Sequence, residues 1–263
     1  MRLYHTLQIE QPSEHVSMLV LDRPEVANAI NTQMAEELLQ FLTTINSNPG
    51  AQRCLVITGS GAKAFCAGGD LKERDGMTQE QWLAQHAIIE RAIAAMLECP
   101  LPLIAAVNGA AFGGGCEIAL AADFIYAAQT ARFALTETRL GIMPGAGGTQ
   151  TLPRAVGARR AMELILTARS FTADEALAWS MVNRVVPTDE LLTAALETAN
   201  GIAANAPLAV KQAKKSIRTG MQLDLYRGLE FSIEAYNHLV DTDDRREGVR
   251  AFNEKRPPVF KGS

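Results

Sequence analysis

The stretch Leu103 to Ala122, LIAAVNGAAFGGGCEIALAA, is almost wholly apolar, yet three consecutive glycines divide it in the middle. It reads as a short buried strand at Leu103 to Val107, a tight turn at Gly113 to Gly115 and a helix from Cys116 to Ala122. A buried strand that passes into a buried helix commits this part of the chain to layers of sheet and helix around one core. Glu117 inside the stretch, with Asp22 and Asp123 in other apolar segments, keeps every run short of the roughly 18 residues that a membrane-spanning helix needs. With 263 residues and 48% hydrophobic side chains, the chain has the material for one large domain, or a domain with a helical appendage, without covalent staples.

Strand and helix patterns alternate along the first half. Tyr4 to Glu10 and Val16 to Leu21 alternate like strands with one exposed face, and a helix follows the cap candidates Asn31 and Thr32 with the stripe Met34, Leu38, Phe41, Leu42 and Ile45. The next strand is Cys54 to Thr58. A glycine-rich loop from Gly59 to Asp70 leads towards a helix that starts at Thr78 and Gln81, at capping-box spacing, and runs to Glu98. A further strand is expected at Phe124 to Ala127. After Pro144 the pattern turns helical: Ala158 to Thr167, a capping box at Thr172 and Glu175, then Leu191 to Ala204, Pro207 to Arg218, Leu223 to Val240 and Arg245 to Phe252, with one later strand at Arg184 to Val186.

The glycine turns carry the chemistry. At Gly113 to Gly115 a strand ends and a helix begins, so backbone N–H groups at a helix N-terminus can meet negative charge on a ligand oxygen. Glycines there can equally serve only to bring helix and sheet close. A second loop, FCAGGDLK from Phe65 to Lys72, also follows a strand and offers the N–H of Gly69. Two loops aiming one amide each at one oxygen form an oxyanion hole, where losing a donor costs about 10²- to 10³-fold in rate. The third element is FALTETRLGIMPGAGGTQ, where Glu137 follows a short strand and precedes another glycine-rich turn. A glutamate on an amphipathic helix is ordinarily a solvated surface group; Glu117 and Glu137 stand out because each sits beside a turn. Cys66 and Cys116, next to the proposed donors, read as small apolar residues lining the site.

Other chemistries find less support. Gly59, Gly61 and Ala64 satisfy the GxGxxA of a dinucleotide-binding dehydrogenase, but that fingerprint needs a helix where Phe65 to Asp70 makes another turn. His5, His15, His86 and His238 lie outside the glycine-rich turns and no GxSxG elbow exists, which disfavours nucleophilic catalysis. Four cysteines without a CxxC read as reduced thiols, and no His/Cys spacing suggests a metal. A net charge of −4 argues against a general nucleic-acid surface, and the stripe Lys211, Lys214, Lys215 and Arg218 reads as a solvated face rather than a binding module. The opening residues show no secretory pattern, so a cytoplasmic location is expected.

Taken together, FCAGGDLKE, AAVNGAAFGGGCEIALAADF, FALTETRLGIMPGAGGTQTLPRAVG and DDRREGVRAFNEKRPPVFKG closely resemble the crotonase, or enoyl-CoA hydratase, family over essentially the whole chain. The resemblance implies an α/β fold, the ClpP-like crotonase spiral of repeated ββα units over residues 1–200, with a C-terminal helical region for oligomerisation over 201–263. It implies that Gly69 and Gly114 supply the oxyanion N–H groups. Glu117 and Glu137 match the two acid/base glutamates of the hydratases, which add water to an enoyl-CoA thioester or remove it. Related isomerases often keep one of the two. It further implies coenzyme A contacts from Ala67, Gly68, Asp70, Leu71 and Lys72, with Lys72 near the phosphates, and from Lys255, Phe252 and Tyr236, in many members on a neighbouring subunit. An acyl-CoA partner, a homo-trimer or hexamer, no cofactor beyond the coenzyme A of the substrate, and a place in fatty-acid or amino-acid catabolism belong to the same set of expectations. The segments look particularly like methylglutaconyl-CoA hydratases and their short-chain relatives. The helix from Gln81 to Glu98 and the loop Glu73 to Thr78 are expected to set acyl length.

Overall fold

The computed structural model describes residues 3–263. The first strands and helices are β1 (Leu7–Ser13), β2 (Val16–Leu21), α1 (Thr32–Ser47), β3 (Cys54–Gly59), β4 (Ala64–Cys66), α2 (Leu71–Arg74) and α3 (Gln79–Glu98). The central part holds β5 (Leu103–Val107), β6 (Ala110–Phe112), α4 (Gly114–Ala121), β7 (Phe124–Ala128), β8 (Arg132–Ala134), α5 (Gly148–Val156) and α6 (Ala158–Thr167). Then come β9 (Phe171–Thr172), α7 (Ala173–Ala178), β10 (Arg184–Val186), α8 (Leu191–Ala203), α9 (Pro207–Gly220), α10 (Leu225–Val240) and α11 (Asp243–Glu254).

The strands divide between two sheets. Six form one in the order β1-β2-β3-β5-β7-β10, parallel except for the antiparallel β1–β2 pair, and four form the other in the order β4-β6-β8-β9. The pairs β3/β4, β5/β6 and β7/β8 each give one strand to each sheet before the chain turns into helix. That is a spiral of ββα units, as expected. The strand β3 passes into β4 and not into a helix, which removes the dinucleotide reading of Gly59, Gly61 and Ala64.

The caps act where the sequence places them. The Asn31 side chain accepts the Met34 N–H at 2.9 Å to start α1, and complete capping boxes at Thr78/Gln81 and Thr172/Glu175 start α3 and α7. Each such cap contributes about 1 kcal/mol. The strand β2 differs from expectation, because both of its faces are buried. Leu19 and Leu21 join the main core between the sheets and helices α1, α3 and α4, while Val16, Met18 and Val20 join a second cluster under α8, with Leu191, Ala195 and Ala199. A parallel sheet covered on both faces has no solvent side for alternation to report.

Two residues of the basic stripe on α9, Lys214 and Arg218, form a clamp, while Lys215 stays exposed as a solvated face would have it. Lys214 Nζ donates to Asp123 Oδ2 and to the Leu101 carbonyl, both at 2.6 Å, and its side chain is 9% exposed. Arg218 donates to Asp123 Oδ1 at 2.8 Å and to the Leu97 carbonyl. The two cations thus tie α9 to Asp123, to the end of α3 and to the segment just before β5. By contrast α10 buries only Gly228 and Ala235 and exposes Leu225, Leu229, Ile233 and Tyr236 along one side. If the clamp carries the docking of α9, Asp123→Ala should lower stability by about 3 to 5 kcal/mol in urea unfolding, since it leaves a buried ammonium unpaired. Adding Lys214→Met should recover part of that loss, and a cost under about 1 kcal/mol for the single change would show that the clamp is slack.

Candidate active site

The turn after β6 and the loop after β4 meet at a cavity of about 370 Å³. Its floor is backbone. Gly113 has φ +52°, a left-handed conformation suited to glycine, and α4 starts immediately after it. Gly115 packs so tightly on the Cys66 carbonyl that any Cβ there would collide with it. That contact draws the first turn of α4 against the β4 loop: a Cβ on Gly114 would lie only 3.9 Å from the Gly69 nitrogen. A bridge between Ile30 and Gly69 holds the loop from the other side, with Ile30 N–H donating to Gly68 O at 2.7 Å and Asp70 N–H to Ile30 O at 2.9 Å. The N–H groups of Gly69 and Gly114 find no acceptor among the described residues and face one cavity.

Glu117 and Glu137, twenty residues apart in the chain, converge on the same cavity. Glu117 projects from the first turn of α4 and is 3% exposed. Its Oε1 accepts two N–H bonds, from Ala146 and Gly148, both at 2.8 Å, where the glycine turn enters α5. With Oε1 so occupied, a proton on this carboxyl resides on Oε2. Glu137 opens the 3-10 turn Glu137–Leu140 after β8 and is 8% exposed, and its Oε2 has no hydrogen-bond partner among the described residues. Burial, together with the charge of Glu137, pushes the Glu117 carboxyl up to about 7 against the pull of its two amides. Burial raises Glu137 too, against the pull of the backbone amide of Glu137 itself, the guanidinium of Arg74 and the Thr136 amide.

The cavity lining also contains Ala67, Gly68 and Leu71, as expected for a coenzyme A wall, but not Asp70 or Lys72. Asp70 is already engaged: it caps α2 by accepting from the Lys72 and Glu73 N–H groups and pairs with Arg23 at 2.9 Å. Lys72 is exposed. Tyr236 and Phe252 are 67% and 83% exposed on α10 and α11, Lys255 is the left-handed cap of α11, and none of the three lines this cavity. Cys66 and Cys116 do not line it either: both are wholly buried in the main core behind the glycine backbone, and burial raises both thiols. Arg74, Trp82 and His86, which the sequence did not single out for this site, also line the cavity. They lie on α2 and α3, the segment expected to shape the acyl pocket. Arg74 stacks 4.5 Å over the Trp82 ring.

Residues 11–263 match the family described as enoyl-CoA hydratase/isomerase, and the chain belongs to that family. A short-chain-enoyl-CoA hydratase of Clostridium acetobutylicum is 41% identical over 242 residues, 92% of each chain. A crotonyl-CoA hydratase of Syntrophomonas wolfei is 39% identical over 260 residues, 98% of each. Among solved structures, an enoyl-CoA hydratase from Bacillus anthracis superposes with a TM-score of 0.96 at 45% identity, over 98% of this chain and all of that one.

Keeping Glu117 charged is costly to the fold. Its carboxyl titrates higher in the folded than in the unfolded chain, so the folded state binds the extra proton and stability falls as pH rises from the ordinary carboxylate range through about 7. Above that range the penalty is on the order of 3 kcal/mol. Glu117→Gln keeps an oxygen for the two amides without the charge. It should therefore be more stable than the wild type at pH 8.5 and lose that advantage by pH 5, as read by thermal or urea unfolding; equal stability at both pH values would contradict the buried-charge account.

Proposed function

We propose that the chain adds water across the 2,3 double bond of a short-chain or branched enoyl-CoA, or removes it in the reverse reaction, at the Glu117–Glu137 cavity. One observation carries the assignment of the site: two buried carboxylates, each with an unpartnered oxygen, share a cavity with two unclaimed backbone amides. The thioester carbonyl accepts from the N–H groups of Gly69 and Gly114, which draws electron density from the conjugated double bond and makes the β-carbon electrophilic. Water held between the glutamates loses a proton to one carboxylate as its oxygen bonds to the β-carbon. The enolate that forms is neutralised when the other carboxyl delivers a proton to the α-carbon, so the elements of one water are added and the enzyme regains its starting charge. No redox partner enters, and the only cofactor involved is the coenzyme A carried by the substrate. Ala67, Gly68 and Leu71 would flank the pantetheine. The exposed apolar side of α10, with Phe252 on α11, suits contact with a second copy of the chain, and in a trimer or hexamer Tyr236, Phe252 and Lys255 would reach a neighbour's coenzyme A.

Mixing the purified protein with crotonyl-CoA should abolish the absorbance of the conjugated thioester. Glu117→Gln and Glu137→Gln should each slow that loss by about 10² or more while leaving the far-UV circular dichroism unchanged. Undiminished turnover in both variants would remove the glutamates from the mechanism. Reaction of a 3-enoyl-CoA alone, with absorbance rising, would make the enzyme an isomerase.

A further inference from the structure

Behind the wall that α3 gives to the glutamate cavity lies a second and much smaller space of about 10 Å³, room for a single water at most. It sits between α1, α3 and α4. Ala35, Leu38, Ala92, Ile93, Met96 and Ile118 line it, together with three residues that also line the larger cavity: Ile30, Ile89 and Gly114. None of these side chains offers a hydrogen bond, so the space is suited to hydrocarbon and not to water.

The three shared residues form the partition. Ile30 and Ile89 are both buried, and Ile30 Cδ1 would lie 3.2 Å from a Cβ on Gly114, so its side chain closes on the oxyanion turn. On α3, Ile89 begins a buried stripe that continues through Ala92, Ile93 and Met96 at helical spacing. Ile89 faces both spaces; the other three face only the smaller one. Helix α4 divides in the same way, with Glu117 on the cavity and Ile118 on the space behind it. Because Gly114 belongs to both, a thioester carbonyl bound at Gly69 and Gly114 starts its acyl chain beside the partition.

We propose that Ile89 is a specificity-determining residue: backed by Ile30, its side chain ends the room open to the acyl chain and confines the enzyme to short 2-enoyl thioesters. This rests on the hydratase reading and specifies which chain lengths that site accepts. Burying one methylene is worth about fourfold in affinity, so a longer tail gains most by entering the core at this point, and Ile89 is what stands there. The other way out is the rim where Leu140, Ile142 and Met143 are exposed, and a tail taking that route would meet no stop. Ile93 is the poorer place to probe, since its Cγ2 would lie 3.8 Å from a Cβ on Gly147, in the turn whose amides hold Glu117.

The test compares kcat/KM for 2-enoyl-CoA substrates of four, six and eight carbons in the wild type, Ile89→Val, Ile89→Ala and Met96→Ala, each shown to be folded by circular dichroism. Calorimetry on the same proteins gives the dissociation constants of butyryl-, hexanoyl- and octanoyl-CoA. The wild type should lose efficiency with each added pair of carbons. Ile89→Ala joins the two spaces, and two more buried methylenes should raise its six-carbon to four-carbon ratio about tenfold over the wild type. Ile89→Val removes one methyl, disturbs the core least and should move the ratio the same way by less. Met96→Ala enlarges only the far end of the smaller space and should keep the wild-type ratio. A wild type that takes eight carbons as readily as four would overturn the inference. So would Ile89 variants that lose activity equally at every length, or a Met96→Ala ratio that rises as far as that of Ile89→Ala. If no enoyl thioester is hydrated, yet Ile89→Ala gains about tenfold in affinity for hexanoyl-CoA relative to butyryl-CoA, the hydratase reading falls and the stop stands.

Discussion

The site depends on how closely the first turn of α4 can approach the loop that follows β4. Gly115 against the Cys66 carbonyl sets that distance, and no side chain fits between them. Once the two backbones touch there, the amides of Gly114 and Gly69 fall beside each other with no further adjustment, and the Ile30–Gly69 bridge keeps the second loop from drifting. Donors fixed in this way need no reorganisation when charge develops on an oxygen between them. The residue on which everything turns thus has no functional group at all.

Around that contact the chain carries a chemically awkward load. Two carboxylates are 3% and 8% exposed in one cavity, with a guanidinium close by. Surroundings that are apolar and covered on both sheet faces make this tolerable, since α8 closes one side of the six-stranded sheet and α1, α3 and α4 close the other. The same dryness raises the glutamates towards neutrality, where a carboxyl can both give and take a proton. Stability is lost at the point where reactivity is gained, a familiar tension in catalytic sites.

Much of this was legible from the residues. The caps at Asn31, Thr78 and Thr172 marked three helix starts correctly because a side chain accepting a neighbouring N–H is a local event that needs no tertiary partner. The glutamates and the oxyanion glycines stood out because glycine-rich turns leave a dense local pattern, although only the fold could bring residues 117 and 137 to one cavity. Three things escaped. The strands β4, β6 and β9 are two or three residues long, too short for any period to register. The two-sided burial of β2 follows from α8 arriving from far along the chain. Arg74, Trp82 and His86 sit at ordinary spacing in a helical segment with no motif, and their shared cavity is a product of how α2 and α3 lean over the glycine loops.

Most of the reactive groups and one wall of the pocket come from different parts of the chain. Glu117, Glu137, Gly114 and the amides that hold Glu117 belong to the run from β6 to α5, together with the wall residues Leu140, Ile142 and Met143, whereas Leu71, Arg74, Trp82, His86 and Ile89 follow the Gly69 donor in the connection between β4 and β5. The helices of that connection carry none of the hydrogen bonds to Glu117, which come from Ala146 and Gly148. Replacements between Leu71 and Ile89 can therefore alter much of one wall while Gly69, Glu117 and Glu137 stay in place, so that one scaffold can be retuned for a succession of acyl groups.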